Sequence, residues 1–257
     1  EIGALADAIE SIGFECTRCG GCCTGYAPDE PGGAPANESG DEATSTSDDE
    51  TTAPQESPST DPETGDDREP HTATVFPDEV RELVEAAEST PEEAADVAYD
   101  WRDVARPMPY GLSEDADGQP VGETFEWALA TDDCGDCTFY EESDGQGACT
   151  VHDARPLICQ TYPFSVALGG TTQPMGEAVD AEGMVRAHEC EGLGRDISRE
   201  DAEELAAALK ERAIRELEEA IGVRDTYDPT AADRANTDLV VFDSEGPKRS
   251  DGEPVDG

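Results

Sequence analysis

Four cysteines stand within eight residues near the start of the chain, in the run Cys16-Thr17-Arg18-Cys19-Gly20-Gly21-Cys22-Cys23, a C-x2-C-x2-C-C pattern. Packing alone does not call for them, because a buried thiol contributes only as a small hydrophobe. Thiols separated by two residues can converge on one soft cation when a tight turn brings their sulfurs together. A second set follows at Cys134, Cys137, Cys149, Cys159 and Cys190. Nine is an odd number, which a fully paired disulfide set cannot satisfy internally. No export signal opens the chain, although the missing initiator Met warns of a trimmed terminus. Clustered C-x2-C spacings then favour metal over disulfides, and the expected compartment is the cytoplasm.

Composition makes such a staple useful. Only 35% of the 257 residues are apolar and 5% aromatic, so the core is expected to be smaller than the length suggests. The formal net charge is -47, from 63 acids against 16 bases, and only Lys210 and Lys248 among the bases are lysines. Residues 29–69 hold fourteen acids and one arginine, yet the remainder still carries -34, so the acidity is global. Self-repulsion on this scale destabilises a compact state in dilute buffer, and concentrated salt screens it. An acidic, lysine-poor surface of this kind resembles proteins of extreme halophiles. Nucleic acid is not an expected partner, because no basic face is visible. Nor is a membrane: the best apolar run, residues 156–170, is short and interrupted by Gln160, Thr161 and Pro163.

Along the chain, Leu5, Ile9 and Ile12 recur at helical spacing, with Gly13 as the stop. Residues 1–27 thus form an N-terminal helix and the cysteine run. Residues 28–72 collapse to Asp, Glu, Ser, Thr, Pro and Gly and read as a disordered acidic insert. Such an insert does not prevent the two cysteine groups from meeting, since loop-closure entropy grows slowly with length. Residues 73–195 hold helices and the second cysteine group, and belong to the same metal-binding domain as 1–27. There Val80, Leu83, Val84 and Ala87 share a helical face, and Thr90 with Glu93 opens another helix. Phe125, Trp127 and Leu129 lie on one side of a strand over 123–131, and a turn at 143–147 predicts a hairpin whose return strand begins at Cys149. Residues 196–222 form a long helix capped by Ser198, with Leu205, Leu209, Ala213, Leu217 and Ile221 at four-residue spacing and Gly222 closing it. Residues 223–257 read as a weakly ordered tail. The expected class is α+β: a small metal-stapled cysteine-rich domain with flanking helices, a short hairpin and the acidic insert.

Adjacent Cys22 and Cys23 pose a geometric question, since neighbouring side chains tend to diverge. Cys16, Cys19 and Cys22 can share a centre while Cys23 turns to another, completed by the downstream set. A ferredoxin-type run would need a cysteine where Tyr26 stands. Alternatively, Cys16–Gly20 and Cys134–Cys137 are two knuckles of a four-thiolate zinc ribbon, which leaves five cysteines unexplained.

The second motif is Cys149-Thr150-Val151-His152-Asp153-Ala154-Arg155-Pro156-Leu157-Ile158-Cys159-Gln160-Thr161-Tyr162-Pro163-Phe164. Taken with the early run, Cys137 and a late Cys190, it resembles the YkgJ-type cysteine-cluster proteins, also called the CxxCxxCC zinc- or iron-chelating family. The resemblance covers roughly residues 14–194 and departs from the pattern in the insert after Tyr26 and in Cys134. It implies metal chelation by Cys16, Cys19, Cys22, Cys23, Cys137, Cys149, Cys159 and Cys190. A related cluster occurs in flagellin lysine N-methylases, which are linked to an iron-sulfur centre.

The residues themselves support chelation. Eight thiolates around two divalent ions leave a local charge of -4, which a nearby cation such as Arg155 offsets. His152 and His188 are candidate donors to the ligand shell, as is Tyr162, while Cys134 reads as a free thiol. Asp132, Asp133 and Asp136 read as solvated acids. No catalytic constellation is readable. The expectation is therefore a non-enzymatic metal protein, holding iron or an iron-sulfur cluster first and zinc second, its only identified partners being metal ions. The alternative is an iron-sulfur enzyme, an oxidoreductase or a protein lysine methylase-like activity.

Overall fold

A computed structural model describes residues 1–26, 68–89, 98–167, 178–180 and 183–255. Residues 28–67 of the expected acidic insert, and the helix start at Thr90 and Glu93, lie outside the described residues. The last part of the insert, 68–72, is ordered: Glu69 pairs with Tyr26 and His71 is buried. The chain begins with α1 (Ile2–Ile12), then β1 (Thr74–Val75), α2 (Pro77–Ser89), α3 (Trp101–Val104), β2 (Ala105–Pro107), β3 (Leu112–Glu114), β4 (Pro120–Thr124) and β5 (Trp127–Leu129). A hairpin of β6 (Tyr140–Ser143) and β7 (Gln146–Cys149) leads through a 3-10 turn at His152–Ala154 to α4 (Leu157–Thr161). Next come β8 (Phe164–Val166), β9 (Ala178–Asp180), β10 (Val185–His188), α5 (Arg199–Thr226), α6 (Ala231–Ala235), β11 (Leu239–Asp243) and β12 (Gly246–Lys248). The class is α+β. Among the described residues, no helix is long and apolar enough to cross a membrane.

The strands form small sheets in the orders β1-β5-β2, β8-β10-β9 and β12-β11-β4-β3, beside the β6-β7 hairpin. Three apolar clusters hold these together. The first packs Val80 and Leu83 of α2 on Val104, Trp127, Leu129 and Phe139, and Cys23, Cys149 and Cys159 lie against it. The second joins Leu5, Ala6 and Ile9 of α1 to Ala202, Ala206 and Leu209 of α5, over Phe164, Val185 and Ala187. Burying one such Leu or Ile contributes about 1.5–3 kcal/mol. Leu5, Ile9 and Gly13 do what their spacing predicted: Gly13 ends α1, and its N–H bonds Ile9 O at 2.8 Å. Val80, Leu83 and Ala87 are likewise the buried face of α2.

Several expectations need correction. The residues after Arg224 are not a weakly ordered tail. They add α6, β11 and β12, and β11 pairs in parallel with β4 through Leu239↔Gly122, Val240↔Glu123 and Val241↔Thr124. Val240 and Phe242 are wholly buried, and Lys248 forms a 2.7 Å ion pair with Asp243 inside the protein. These strands hide from a periodicity reading because β11 buries four residues in a row, Val240 to Asp243, without alternation, and β12 is only three residues long.

Gly222 does not close α5 but lies within it. A methyl group there would sit 2.5 Å from Ser244 Cβ, so the glycine lets the helix backbone approach the β11–β12 turn. The four-residue row along α5 is not its buried stripe either. Four residues advance about 400° around the axis, so the row drifts about 40° per step. Leu209 is buried, whereas Leu217 and Ile221 are 47% and 50% exposed. The buried face is Ala202, Ala206, Leu209 and Arg212.

The expected strand over 123–131 is two strands in different sheets. Trp127 and Leu129 are buried in β5, but Phe125 stands between the strands, 46% exposed, stacked 5.7 Å from Phe242. In the hairpin, Asp144 and Gly145 take positive φ and close a two-residue turn between Ser143 and Gln146. Cys149 therefore ends the return strand rather than beginning it.

Candidate metal centre

Backbone hydrogen bonds lace the cysteine run to both downstream cysteine segments. Just before Cys16, Phe14 bridges Leu193, Glu15 N–H donates to Gly192 O at 3.0 Å, and Gly194 N–H donates to Gly13 O at 3.0 Å. This edge brings Cys16 alongside the loop of Cys190, whose sulfur accepts from Gly192 N–H at 3.4 Å. The other end of the run meets the hairpin. Gly147 N–H donates to Arg18 O at 2.8 Å, and Cys137 N–H donates to Cys23 O at 2.8 Å. Gly25 N–H donates to Asp136 Oδ1 at 2.8 Å. Gly20, at φ 80°, fits beneath Tyr140: a methyl group there would lie 2.2 Å from the tyrosine hydroxyl.

The downstream thiols are held by elements with other anchors. Cys137 is buried, and Thr131 bridges to it across the loop that Asp132 organises. Cys149 pairs with Tyr140 across the hairpin. Cys159 sits in α4, whose first N–H, at Leu157, donates to Glu79 Oε1 of α2 at 2.9 Å. Glu79 Oε2 also accepts from Phe76 N–H at 3.0 Å, and burial raises the pKa of this carboxyl. From α5, the buried Arg212 donates to Thr161 Oγ1 at 3.0 Å and Phe164 O at 3.2 Å, fixing the far end of α4.

Electrostatics identify which sulfurs share a neighbourhood. Cys22 and Cys23 do not diverge as expected: their Sγ atoms are 3.7 Å apart. Two thiolates on one tetrahedral ion, with bonds of about 2.3 Å, stand at about that separation. The contact with Cys23, and then burial of its sulfur, push the Cys22 thiol up. Burial pushes Cys137 up to about 11, with Cys149 and Cys22 adding to the shift. Cys159 rises well above its ordinary value, from burial first and then from Cys137, Cys22 and Cys149. Cys149 rises through burial, and Cys22 adds to it. Cys190 rises through burial and through Cys22, Cys19 and Cys16. Cys22 is the neighbour common to all of these. The Arg155 guanidinium pulls Cys22, Cys149 and Cys159 back toward the thiolate form.

The remaining candidates separate. Tyr162 donates its hydroxyl to Glu189 O, joining the end of α4 to the residue before Cys190, and burial raises its pKa. His188 is buried, its Nε2 2.9 Å from Ser165 Oγ, and so orients strands β8 and β10. His152 is exposed and lies 3.5 Å from Asp153. Cys134 is exposed on the loop where Asp132 Oδ1 accepts from its N–H at 2.9 Å and from Asp136 N–H at 3.0 Å. Asp132 and Asp133 are exposed, as expected of solvated acids, while Asp136 is half-buried and pairs with Arg68 at 3.4 Å. Glu79, Arg212 and Tyr140 escaped the sequence reading, because nothing in a lone acid, base or tyrosine marks it as a long-range anchor.

The donor set is soft. Cysteine sulfurs suit zinc or iron, whereas calcium and magnesium need oxygen ligands. Among the described residues, no three His, Cys, Asp or Glu side chains already form an arrangement able to hold a metal ion. No curated protein and no solved structure matches the chain. A family model does match, over residues 15–191, and is described as "CxxCxxCC: Putative zinc- or iron-chelating domain". That span runs from the residue before the first cysteine of the run to the residue after Cys190, so the chain belongs to the CxxCxxCC family.

Proposed function

We propose that Cys16, Cys19, Cys22, Cys23, Cys137, Cys149, Cys159 and Cys190 chelate iron as an iron-sulfur centre, and that the bound centre staples the domain. Zinc is the second choice. The supporting observation is the lacing of one short run to both downstream cysteine segments by Glu15–Gly192 and Cys23–Cys137 hydrogen bonds. The Cys190 thiol is raised by Cys22, Cys19 and Cys16, and the Cys159 thiol by Cys137, Cys22 and Cys149, so Cys22 acts on both. A bound metal would supply folding energy through thiolate ligation, which a chain of weak core and large net charge needs. Arg155 offsets part of the excess negative charge, and Tyr162 holds the Cys190 segment to α4. Iron is preferred because dense, nearly contiguous thiolates suit a cluster better than the separated ligand pairs common at zinc.

Anaerobic purification followed by elemental analysis, sulfide assay and a visible spectrum tests this. Iron with acid-labile sulfide and charge-transfer colour is expected. Stoichiometric zinc in a colourless protein would replace iron-sulfur with a structural zinc site. Absence of both metals at fixed ratio would remove chelation altogether.

A further inference from the structure

Helix α5 carries a second pattern, unrelated to the thiols. Ile214, Leu217 and Ile221 are 46%, 47% and 50% exposed, on a flank of the helix beside the buried Ala202, Ala206, Leu209 and Arg212, its centre about 110° around the axis from theirs. Large aliphatics at this spacing, in so acidic a chain, form a stripe that its own fold leaves uncovered. Ala207, Ile214 and Ile221 repeat every seven residues, and Lys210, Leu217 and Arg224 repeat every seven between them. These are the a and d positions of a coiled-coil seam. Along one flank run Glu204, Glu211, Glu218 and Asp225, all exposed.

We propose that this face pairs with the same face of a second copy of the chain, helix against helix and antiparallel. In that arrangement a positions lie level with d positions. Ile214 packs on Leu217 of the partner subunit, and by two-fold symmetry the reverse contact also forms. Outside this centre Ile221 lies level with Lys210 of the partner subunit, and Ala207 with Arg224 of the partner subunit. The charges are then self-complementary. Each Lys210 falls between the acids at 218 and 225 of the other copy, and each Arg224 between those at 204 and 211. The aliphatic stems of these two bases cover apolar surface while their charged ends reach the flank. Lys210 bonds Glu1 at 3.0 Å and Arg224 bonds Asp225 at 2.7 Å within one copy. Both are exposed pairs, which hold their partners weakly and can turn to the new acids. A basic amphipathic helix from another protein would suit the acidic flank. It would leave the two seam cations facing like charge, which is why a second copy is preferred. The apolar seam supplies affinity, and the charges choose direction and register.

Sedimentation velocity over a concentration series in molar KCl is the test, because the screening length there is about 3 Å and repulsion between two acidic chains is suppressed. A concentration-dependent dimer is expected. Leu217→Glu should leave only monomer, with unchanged far-ultraviolet circular dichroism because the site is exposed. At the low-salt end of a KCl series, where these exposed charges are less screened, Lys210→Glu should weaken the dimer about fivefold, and K210E combined with E218K should restore it to within about twofold. A chain that remains monomeric at millimolar concentration overturns the proposal. So does a dimer indifferent to Leu217→Glu, or a charge reversal that the compensating change fails to rescue. Metal content is not part of this readout, so the result is independent of the thiol chemistry.

Discussion

Cys22 raises the thiols of both Cys190 and Cys159, so it acts on both downstream cysteine segments. Cys22→Ser should therefore lower metal content by more than half, whereas Cys134→Ser should leave it unchanged, both read by elemental analysis per chain. Equal losses from the two variants would contradict the different places of these sulfurs. His71 offers a separate test through pH. It is buried, and burial with the nearby Arg106 lowers its pKa from 6.5 to about 4. The unfolded chain then binds this proton more readily than the folded one. The contribution of neutral His71 is present above the unfolded value and is lost as pH falls from about 6.5 toward 4. His71→Gln should flatten the slope of stability against pH in that window, measured by denaturant titration at fixed metal occupancy. An unchanged slope would show that His71 is not the group responsible.

At the scale of elements, the sequence was legible wherever one periodic face met one core. α1 and α2 emerged at their observed positions because Leu5 with Ile9, and Val80 with Leu83, report burial directly. The hairpin was legible from Asp144-Gly145, a pair suited to positive φ. The family was legible because its cysteine motifs are written in residue type and spacing. What could not be read was the long-range anchoring: Glu79 holding Leu157, Arg212 holding Phe164, Tyr140 beneath which Gly20 passes. Gly222 misled for a related reason, since a glycine reads as a helix stop unless the Ser244 turn above it is known. Its replacement distinguishes the two accounts by sign. Helix propensity alone favours Gly222→Ala by about 1 kcal/mol. The 2.5 Å approach to Ser244 predicts a loss of stability instead. Chemical denaturation of the variant should show a lower midpoint, and a raised midpoint would mean that the close approach has been relieved at no cost.

At the scale of the whole molecule, a net charge of -47 opposes compaction, and two influences counter it. Salt screens the repulsion, so the thermal midpoint should rise as KCl increases into the molar range. A falling midpoint would mean that ion pairs such as Arg81–Glu245, at 2.6 Å, outweigh the general repulsion. The proposed metal ligation is the other influence. Removing metal with a chelator under reducing conditions should unfold the cysteine-bearing half, read as loss of tertiary circular dichroism. Full retention of that signal would contradict the staple. The claim on which the account turns is that thiolates from both ends of residues 15–191 grip metal jointly. Native mass spectrometry of anaerobically isolated protein, after brief alkylation without denaturant, tests it most directly. A metal-bearing mass with alkylation confined to Cys134 is expected, and a metal-free mass with all nine cysteines alkylated at once would contradict joint ligation.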